Sequence, residues 1–198
     1  MNLANFIPTS PDIRILATEI AGLLIFEKKI YLDGRGWFQE AYRVEDIAKA
    51  LDVNDLVIRQ GSFTYNLPGT LRGLHAEPQY KIVTPLTGKT FIAIVDIRIN
   101  SATFGKVQTF TFDYTDINSP RRTLVISPGL ANSILALGKE GVFYHYAVSD
   151  TYKSNITKRS IRWNDPDLKI NWPIKNPVLS EADQNNPSLR ELFPEKFT

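Results

Sequence analysis

Residues 81–114 read KIVTPLTGKTFIAIVDIRINSATFGKVQTFTFDY, and this segment decides the fold class. It holds three runs rich in β-branched and aromatic residues, at positions 81–85, 90–100 and 106–114. Such runs favour β-strands, and the Thr87-Gly88 pair between the first two is typical of a turn. No helical periodicity separates the three runs. The segment therefore predicts consecutive short strands of a mainly β sandwich or barrel.

The same pattern continues on both sides of this segment. Further strand-like runs lie at residues 13–20, 23–31, 37–42, 56–60, 122–126, 133–137 and 142–149. The exception is VEDIAKAL at residues 44–51, where Val44, Ile47, Ala48 and Leu51 recur at helical spacing. This stretch predicts one amphipathic helix that packs through its apolar side.

The two ends of the chain differ in composition from the middle. Residues 1–12 contain two prolines and are interpreted as an irregular leader. After Tyr152 polar residues and prolines are frequent, which predicts a C-terminal segment, residues 153–198, that wraps around the strands. The spacing Ser180-x-x-Asp183 resembles a capping box and predicts a short helix that begins near Ser180. A length of 198 residues favours a single domain, 1–198.

Composition excludes several classes of protein. A net charge of +2, with dispersed lysines and arginines, gives no nucleic-acid surface. The absence of cysteine excludes disulfides, thiolate catalysis and cysteine-ligated zinc, and it fits a reducing compartment. No apolar run is long enough to span a membrane, and the N-terminus lacks the basic region of a secretory signal. We therefore expect a cytoplasmic protein that binds neither nucleic acid nor membrane.

Residues 69–81, GTLRGLHAEPQYK, concentrate the groups that could carry chemistry. His75 is one of only two histidines in the chain, and Lys81 follows six residues later. An imidazole titrates near neutral pH, so a general base beside a cation is one interpretation. The other is a surface loop with ordinary solvated charges. The residues of this stretch alone leave both interpretations open.

Eight motifs in order, spread over residues 13–192, resemble one enzyme family. They are Asp33-x-Arg35-Gly36-Trp37-Phe38-x-Glu40, Leu71-Arg72-Gly73-Leu74-His75 with Lys81, Val95-Asp96-Ile97-Arg98, Ser101-x-Thr103-Phe104-Gly105, Pro128-Gly129-x-Ala131, Tyr146 with Tyr152, Trp163-Asn164-Asp165-Pro166 with Trp172-Pro173, and Leu179-Ser180-x-x-Asp183. By these motifs the chain resembles the dTDP-4-dehydrorhamnose 3,5-epimerases, cupin-type enzymes of nucleotide-sugar metabolism.

The resemblance implies a fold and a reaction. The fold would be mainly β, a cupin-type double-stranded β-helix, or jelly-roll barrel, with a few short peripheral helices. The reaction would invert C3, C5 or both carbons of a dTDP-4-dehydro-6-deoxyhexose by removing and returning protons next to the C4 ketone. It would use no cofactor and no metal. Such chemistry requires a base, a group that stabilises the enolate oxygen, and an acid on the opposite face of the sugar.

Four residues take these catalytic roles when the motifs are matched. The resemblance implies that His75 is the base and Asp183 its orienting partner. It also implies that Lys81 stabilises the enolate and that Tyr146 is the acid on the opposite face. An anionic neighbour would hold one tautomer of His75 and stabilise the imidazolium that forms.

Other matched residues would bind the substrate and join two subunits. Arg72 and Gln60 match positions that bind the nucleotide diphosphate, a task suited to a guanidinium fork. Arg35, Phe38 and Glu40 match a segment that reaches the active site of the neighbouring subunit. The resemblance thus implies a homodimer with exchanged N-terminal strands. Without it, this segment would be interpreted as an ordinary bulged strand with a charge at either end.

Tyr144 and Tyr146 compete for the role of the acid. If residues 142–149 form a strand, both tyrosines point to one face and His145 to the other. The six-residue spacing from Tyr146 to Tyr152 matches the family, which favours Tyr146. Tyr144 is then expected in the core or behind the site, and His145 is expected to be structural.

Three departures from the family pattern bear on the substrate. Asn132 stands where the family has a second active-site histidine, and Ile92 stands where it commonly has an aspartate. The segment Gln60-Gly61-Ser62-Phe63-Thr64 replaces a Gln-Asp-Asn-x-Ser motif. Asn132 can donate a hydrogen bond to a sugar oxygen but cannot titrate. These changes raise the hypothesis of a different sugar, or of inversion at one carbon only.

Other functions stay open at this point. The same barrel could serve a sugar-nucleotide ketoisomerase or a non-catalytic protein that binds nucleotide sugars. A pure binding protein has little need of a base and an acid on opposing faces, so His75, Tyr146 and Asp183 favour the epimerase. A metal-dependent cupin would need two or three histidines and a carboxylate around one ion, and two histidines on different strands do not supply them.

Overall fold

The computed structural model describes residues 10–151 and 159–197. Most of the predicted leader, Tyr152 and the first part of the predicted wrapping segment lie outside these ranges. The strands of the described part are β1 (Ile13–Ala17), β2 (Leu23–Lys28), β3 (Tyr31–Asp33), β4 (Gly36–Phe38), β5 (Gln60–Asn66), β6 (Leu71–Ala76), β7 (Lys81–Pro85), β8 (Gly88–Asp96), β9 (Val107–Tyr114), β10 (Arg122–Ile126), β11 (Leu130–Leu137), β12 (Val142–Val148) and β13 (Arg159–Ser160). The helices are α1 (Val44–Leu51), α2 (Glu181–Gln184) and α3 (Leu189–Leu192), followed by a 3₁₀ turn at Pro194–Lys196.

Two antiparallel sheets form the body of the described chain. One has the strand order β1-β2-β10-β7-β12-β5 and the other the order β13-β6-β11-β8-β9. Strands β3 and β4 form a separate hairpin whose turn is Gly34-Arg35. Most of the strand neighbours within the two sheets are far apart in sequence, as expected for a jelly-roll barrel rather than a meander.

The inner faces of the two sheets enclose a hydrophobic core. Val83 and Leu124 from one sheet and Ile92, Ile94 and Ile134 from the other belong to one buried cluster. Side chains on opposed sheets that alternate inward in this way fill a barrel interior. The prediction of a mainly β, cupin-type barrel with a few short peripheral helices is confirmed.

Part of the outer face of each sheet is covered as well. Ile47 and Ala50 of α1 pack on the outer face of the six-stranded sheet, against residues such as Phe26. Residues of the C-terminal segment, including Leu168 and Phe193, pack on the outer face of the five-stranded sheet. Burial on both faces explains why central strands such as β8 are continuously apolar instead of alternating.

Several predicted elements match the structure closely. Helix α1 spans the predicted residues 44–51, and β7 and β10 have the predicted bounds. The predicted apolar side of α1 is only partly right, because the buried residues are Asp46, Ile47 and Ala50. A helix begins after Ser180, as the capping-box spacing predicts.

Other predicted elements were wrong in position. The predicted strand at 56–60 is replaced by β5, which begins at Gln60. In β5 the exposed positions include Phe63 and Tyr65, whereas the polar Ser62 and Thr64 are half-buried, so the usual pattern of apolar inside and polar outside is reversed. The strand predicted at 23–31 ends earlier, since β2 ends at Lys28. The strand predicted at 37–42 also ends earlier, since β4 ends at Phe38. No helix in the described part of the chain is long and apolar enough to cross a membrane.

Candidate active site

A cavity opens between the two sheets, with a volume of about 420 Å³. Strands β5, β6, β7, β11 and β12 and the helix α2 all contribute to its walls. The lining side chains are Thr64, Arg72, His75, Glu77, Lys81, Asn132, Ile134, Tyr144, Tyr146, Ser160, Ser180, Ala182, Asp183 and Asn186. All four predicted catalytic residues and two of the predicted substrate-binding residues, Arg72 and Asn132, are therefore in one place.

His75 and Asp183 form a hydrogen-bonded pair on one wall of the cavity. Nε2 of His75 lies 2.6 Å from Oδ1 of Asp183. Burial alone would raise the pKa of Asp183, but the hydrogen bond and the charge of His75, together with hydrogen bonds from Ser180 and Gly73, hold it below its ordinary value. Because an ionised carboxylate only accepts hydrogen bonds, Nε2 carries the proton and Nδ1 is the basic nitrogen.

The carboxylate of Asp183 is positioned by the first turn of α2. Ser180 is the N-cap of this helix, and its Oγ accepts a hydrogen bond from the backbone N–H of Asp183 at 3.1 Å. Asn186 also donates from Nδ2 to Oδ1 of Asp183, at 3.3 Å. The side chain is therefore fixed from the protein side and directed at His75.

Gly73 allows β6 to approach β11 closely beside His75. Its φ is +123°, and a Cβ at this position would lie 2.7 Å from the carbonyl oxygen of Asn132. Residues other than glycine would therefore be both strained and too large here. The pairing of His75 with Asn132 across the two strands depends on this contact.

Lys81 reaches the cavity from the first residue of β7. Its side chain is 11% exposed, and Nζ donates a hydrogen bond to Oδ1 of Asn132 at 2.9 Å. Oε2 of Glu77 lies 3.4 Å from the same nitrogen. An ammonium group thus lies between a neutral amide and a carboxylate, inside the cavity that also holds His75.

Tyr146 and Tyr144 lie on β12, in the sheet opposite to His75. Their rings are 6.2 Å apart, and both line the cavity. The Tyr144 hydroxyl is buried and has no hydrogen-bond partner among the described residues. Burial raises the pKa of Tyr144 far above its ordinary value. Tyr144 thus stays a neutral phenol, while Tyr146 is the less buried of the pair.

His145 points away from the cavity, to the outer face of β12. Its ring stacks with Tyr42 at 6.5 Å and lies 5.1 Å from the ring of Phe63. Burial lowers the pKa of His145. The side chain therefore packs as a neutral aromatic ring, as the alternation along a strand leads one to expect.

Arg72 lies at the exposed edge of the cavity. Its Nε donates to Oδ1 of Asn66 at 2.6 Å, which fixes the plane of the guanidinium. Gln60, expected to act with Arg72, lies outside the cavity lining and donates from Nε2 to the Ser62 hydroxyl at 3.2 Å. Of the two residues predicted to bind the diphosphate, Arg72 lines the cavity of its own chain and Gln60 does not.

Arg35, Phe38 and Glu40 do not reach the cavity of their own chain. Arg35, in the turn of the β3–β4 hairpin, pairs with Asp33 at 2.6 Å. Phe38 is 67% exposed, and Glu40 forms ion pairs with Lys28 and Arg43. Phe38 and Glu40 instead line a separate surface pocket together with Lys28 and Arg43.

Sequence reasoning did not identify Glu77 as a cavity residue. The signal was present, because Glu77 follows His75 by two positions in an extended segment and such residues share a face. Within the described ranges, no group of three or more histidine, aspartate or glutamate side chains is arranged to hold a metal ion.

Comparison with known proteins gives consistent results. The profile of a family described as dTDP-4-dehydrorhamnose 3,5-epimerase matches residues 17–191. A dTDP-4-dehydrorhamnose 3,5-epimerase of Shigella flexneri is 34% identical over 178 residues, which cover 86% of this chain and 93% of that protein.

Two solved structures extend this similarity to the fold. The dTDP-6-deoxy-D-glucose-3,5-epimerase of Legionella pneumophila, in complex with dTDP-4-keto-L-rhamnose, is 32% identical, with a TM-score of 0.82 and coverage of 92% of this chain and 96% of that one. ChmJ of Streptomyces bikiniensis, a 3'-monoepimerase in complex with dTDP-quinovose, is 29% identical, with a TM-score of 0.79 and 89% coverage of each chain.

Proposed function

The chain belongs to the dTDP-4-dehydrorhamnose 3,5-epimerase family, and from this premise we propose a reaction and a mechanism. It is an epimerase that acts on a dTDP-linked sugar. We infer that the substrate is a dTDP-4-dehydro-6-deoxyhexose, and that C3, C5 or both are inverted through an enolate.

The position of His75 and Tyr146 on opposite walls of one cavity carries the proposed mechanism. His75 belongs to β6 of the five-stranded sheet and Tyr146 to β12 of the six-stranded sheet. A sugar ring between them would present one face to the imidazole and the other to the phenol. Inversion requires this arrangement, because the proton must leave from one face and return to the other.

The first step breaks a C–H bond next to the C4 ketone. Nδ1 of His75 takes the proton, and the electron pair moves into the carbonyl to form an enolate. The charge of Asp183 stabilises the imidazolium, and Lys81 stabilises the negative oxygen. In the second step Tyr146 donates its phenolic proton to the opposite face of the same carbon. The resulting phenolate and imidazolium return to their starting states by exchanging protons with water.

The nucleotide would lie toward the exposed edge of the cavity. Arg72 is charged, is held by Asn66 and lies at that edge. A guanidinium fork matches the oxygens of a diphosphate. Gln60 would contact the nucleotide as well only if the bound nucleotide extends along β5.

We also propose a homodimer with exchanged N-terminal strands. The β3–β4 hairpin exposes the apolar side chains of Tyr31, Leu32 and Phe38. A group of exposed apolar side chains is typical of a protein interface. Arg35, Phe38 and Glu40 would then complete the partner's site. The cytoplasmic location and the one-domain organisation expected from the sequence stay predictions.

Deuterium exchange tests the reaction. The protein is incubated with the dTDP-linked 4-dehydro-6-deoxyglucose in deuterated water, and NMR locates the deuterium in the sugar. We expect incorporation at C3, C5 or both, and its loss in His75→Asn with dTDP binding retained. His145→Asn is the matched control and should exchange normally. Wild-type protein without exchange at either carbon would contradict the proposal for this sugar.

Subunit complementation tests the exchanged strands. Phe38→Ala should be inactive because the partner's cavity loses its contact, and His75→Asn is inactive because the base is lost. If the two residues serve different subunits' sites, mixed dimers contain one intact site, and mixing the variants after partial unfolding should restore about a quarter or less of the activity. Equal inactivity before and after mixing would contradict the exchange.

Inversion at one carbon only is a second candidate. Oδ1 of Asn132 is already engaged with Lys81, and its amide cannot exchange protons with the sugar as an imidazole could. Among the described residues that line the cavity, His75 is therefore the one imidazole. Deuterium at a single carbon in the same experiment supports this candidate, and deuterium at both carbons excludes it. A ketoisomerase would instead relocate the carbonyl, which the same NMR spectra would detect.

A further inference from the structure

Glu77 is a carboxylate of the cavity wall to which the mechanism gives no role. It follows the last residue of β6 and lines the cavity two positions after His75. Its side chain is 14% exposed, and Oε2 lies 3.4 Å from Nζ of Lys81. Gln79 donates from Nε2 to the same oxygen at 2.7 Å, which fixes the carboxylate.

We propose that Glu77 is a positioning residue that holds the Lys81 ammonium charged and directed at the enolate oxygen. The proposal rests on the proposed function, since Lys81 has this task only if an enolate forms. Glu77 and Asn132 approach the ammonium as two oxygen acceptors, at 3.4 Å and 2.9 Å. Two fixed neighbours restrict the rotation of a flexible lysine side chain, so the ammonium is oriented before the substrate binds.

The need for a negative charge at this position follows from burial. Lys81 is 9% exposed, and burial favours the neutral amine over the ammonium. Asn132 accepts a hydrogen bond but carries no charge, so it only weakly offsets this effect. A nearby carboxylate offsets it strongly, because opposite charges interact more strongly in a partly buried site than in water.

A neutral amine would stabilise an enolate far less than an ammonium does. The enolate oxygen gains negative charge in the transition state, and a positive group already in position lowers the barrier without reorganisation. Glu77 therefore acts on the rate of proton abstraction through Lys81. It does not need to contact the substrate.

The decisive variant is Glu77→Gln, which keeps the shape and removes the charge. We expect kcat for deuterium exchange to fall about 10-fold to 100-fold while KM and dTDP affinity change less than about 3-fold. The alkaline limb of the kcat profile should move down by about one pH unit, because Lys81 loses its proton more easily. In the described part of the chain, the other titratable groups that face the cavity are His75, Asp183, Tyr144, Tyr146 and Arg72, and the substitution leaves them in place.

Two further variants separate this role from a structural one. Glu181→Gln removes a carboxylate from the exposed surface of α2, outside the cavity lining, and should leave the profile unchanged. In Glu77→Gln combined with Asn132→Asp, the charge returns on the other side of Lys81, and the alkaline limb should move back toward the wild-type position.

The outcomes are distinct. An unchanged kcat and alkaline limb in Glu77→Gln overturns the positioning role. The positioning role is also overturned if kcat falls in Glu77→Gln and is not restored when Asn132→Asp is added. In that case a loss of packing around residue 77 would explain the lower kcat. Wild-type protein without deuterium exchange overturns the proposed function itself, and the role of Lys81 with it.

Discussion

The two short C-terminal helices, α2 and α3, begin with the same local pattern. Each has a serine N-cap followed three residues later by an acid, Ser180 with Asp183 and Ser188 with Glu191. In α3 the capping box is complete, since Oγ of Ser188 accepts from the backbone N–H of Glu191 at 3.2 Å and Oε2 of Glu191 accepts from the backbone N–H of Ser188 at 2.6 Å. In α2 only the serine half is present, because the Asp183 carboxylate bonds to His75 instead.

The difference shows how one local motif serves two purposes. The acid of a capping box stabilises its own helix. The Asp183 side chain does not accept a hydrogen bond from the Ser180 backbone. It instead binds the candidate base, His75, from a buried position in the cavity wall. Glu191 stays at the exposed surface and stabilises α3. The chemical role of an acid at this position thus depends on what lies opposite the helix end.

Removal of the Asp183 carboxylate should have a much larger effect on activity than removal of the Glu191 carboxylate. We expect Asp183→Asn to lower kcat about 1,000-fold, because the amide favours the wrong tautomer of His75 and cannot stabilise the imidazolium. Glu191→Gln is the matched variant and should change kcat less than about 2-fold. The measurement is the rate of deuterium incorporation into the nucleotide sugar. Similar losses in both variants would mean that Asp183 acts through folding alone.

The two tyrosines of β12 are a second pair of similar groups with different expected roles. We expect Tyr146→Phe to lower kcat about 100-fold, since the acid is lost. Tyr144→Phe should keep activity within about 3-fold and raise the free energy of unfolding by about 1 kcal/mol, because it removes a buried hydroxyl that has no partner in the described part of the chain. Steady-state kinetics and urea denaturation measure the two effects. The reverse ranking would assign the acid role to Tyr144.

Asp96, like Asp183, is a buried carboxylate, but it lies outside the cavity lining. Burial alone would raise the pKa of Asp96, but hydrogen bonds from Arg98, Ser101 and Thr103 lower it to about 2 from an ordinary value of 3.8. Its stabilising effect is therefore complete above pH 4 or so and is lost as the pH falls toward about 2.

We expect Asp96→Asn to reduce the free energy of unfolding by about 2 kcal/mol at pH 7. The difference from the wild type should shrink as the pH falls through that range. Activity per folded molecule should not change, in contrast to Asp183→Asn. Denaturation curves at several pH values provide the test, and a difference that is constant with pH would contradict the assigned hydrogen bonds.

The caps themselves should give the smallest effects. We expect Ser180→Ala and Ser188→Ala to cost about 1 kcal/mol of stability each, since both remove a hydrogen bond to a helix N–H. Only Ser180→Ala should also lower kcat, by about 10-fold, because Asp183 is then held less firmly. Thermal unfolding and kinetics on the same samples measure both. Unchanged kcat in Ser180→Ala would show that α2 needs no cap to orient Asp183.

Local sequence pattern predicted much of the fold. Helix α1 and strands β7 and β10 were predicted with correct bounds because their residues have strong local preferences. Strand β5 was misplaced because its exposed face carries Phe63 and Tyr65, which reverses the usual pattern. The sequence pattern alone predicts that such apolar side chains face the core, so it could not place Phe63 and Tyr65 on the exposed face of β5.

The candidate site was only partly predictable. The order of motifs identified His75, Lys81, Tyr146 and Asp183. The two-residue spacing from His75 to Glu77 was consistent with a shared face, but it was not enough to place Glu77 in the cavity. The hydrogen bond between Lys81 and Asn132 joins residues 51 positions apart, and no local rule connects them. It depends on how β7 of one sheet faces β11 of the other.

By itself, the sequence determined the short strands, helix α1, the serine that caps α2, and the kinds of chemical group available. These depend on interactions within a few residues, which the order of amino acids specifies directly. The tertiary structure alone decided that an acid 108 positions away would meet His75, and that Tyr146 would face it from the other sheet. Such contacts depend on how the two sheets pack, since packing brings together residues that local preferences leave unrelated.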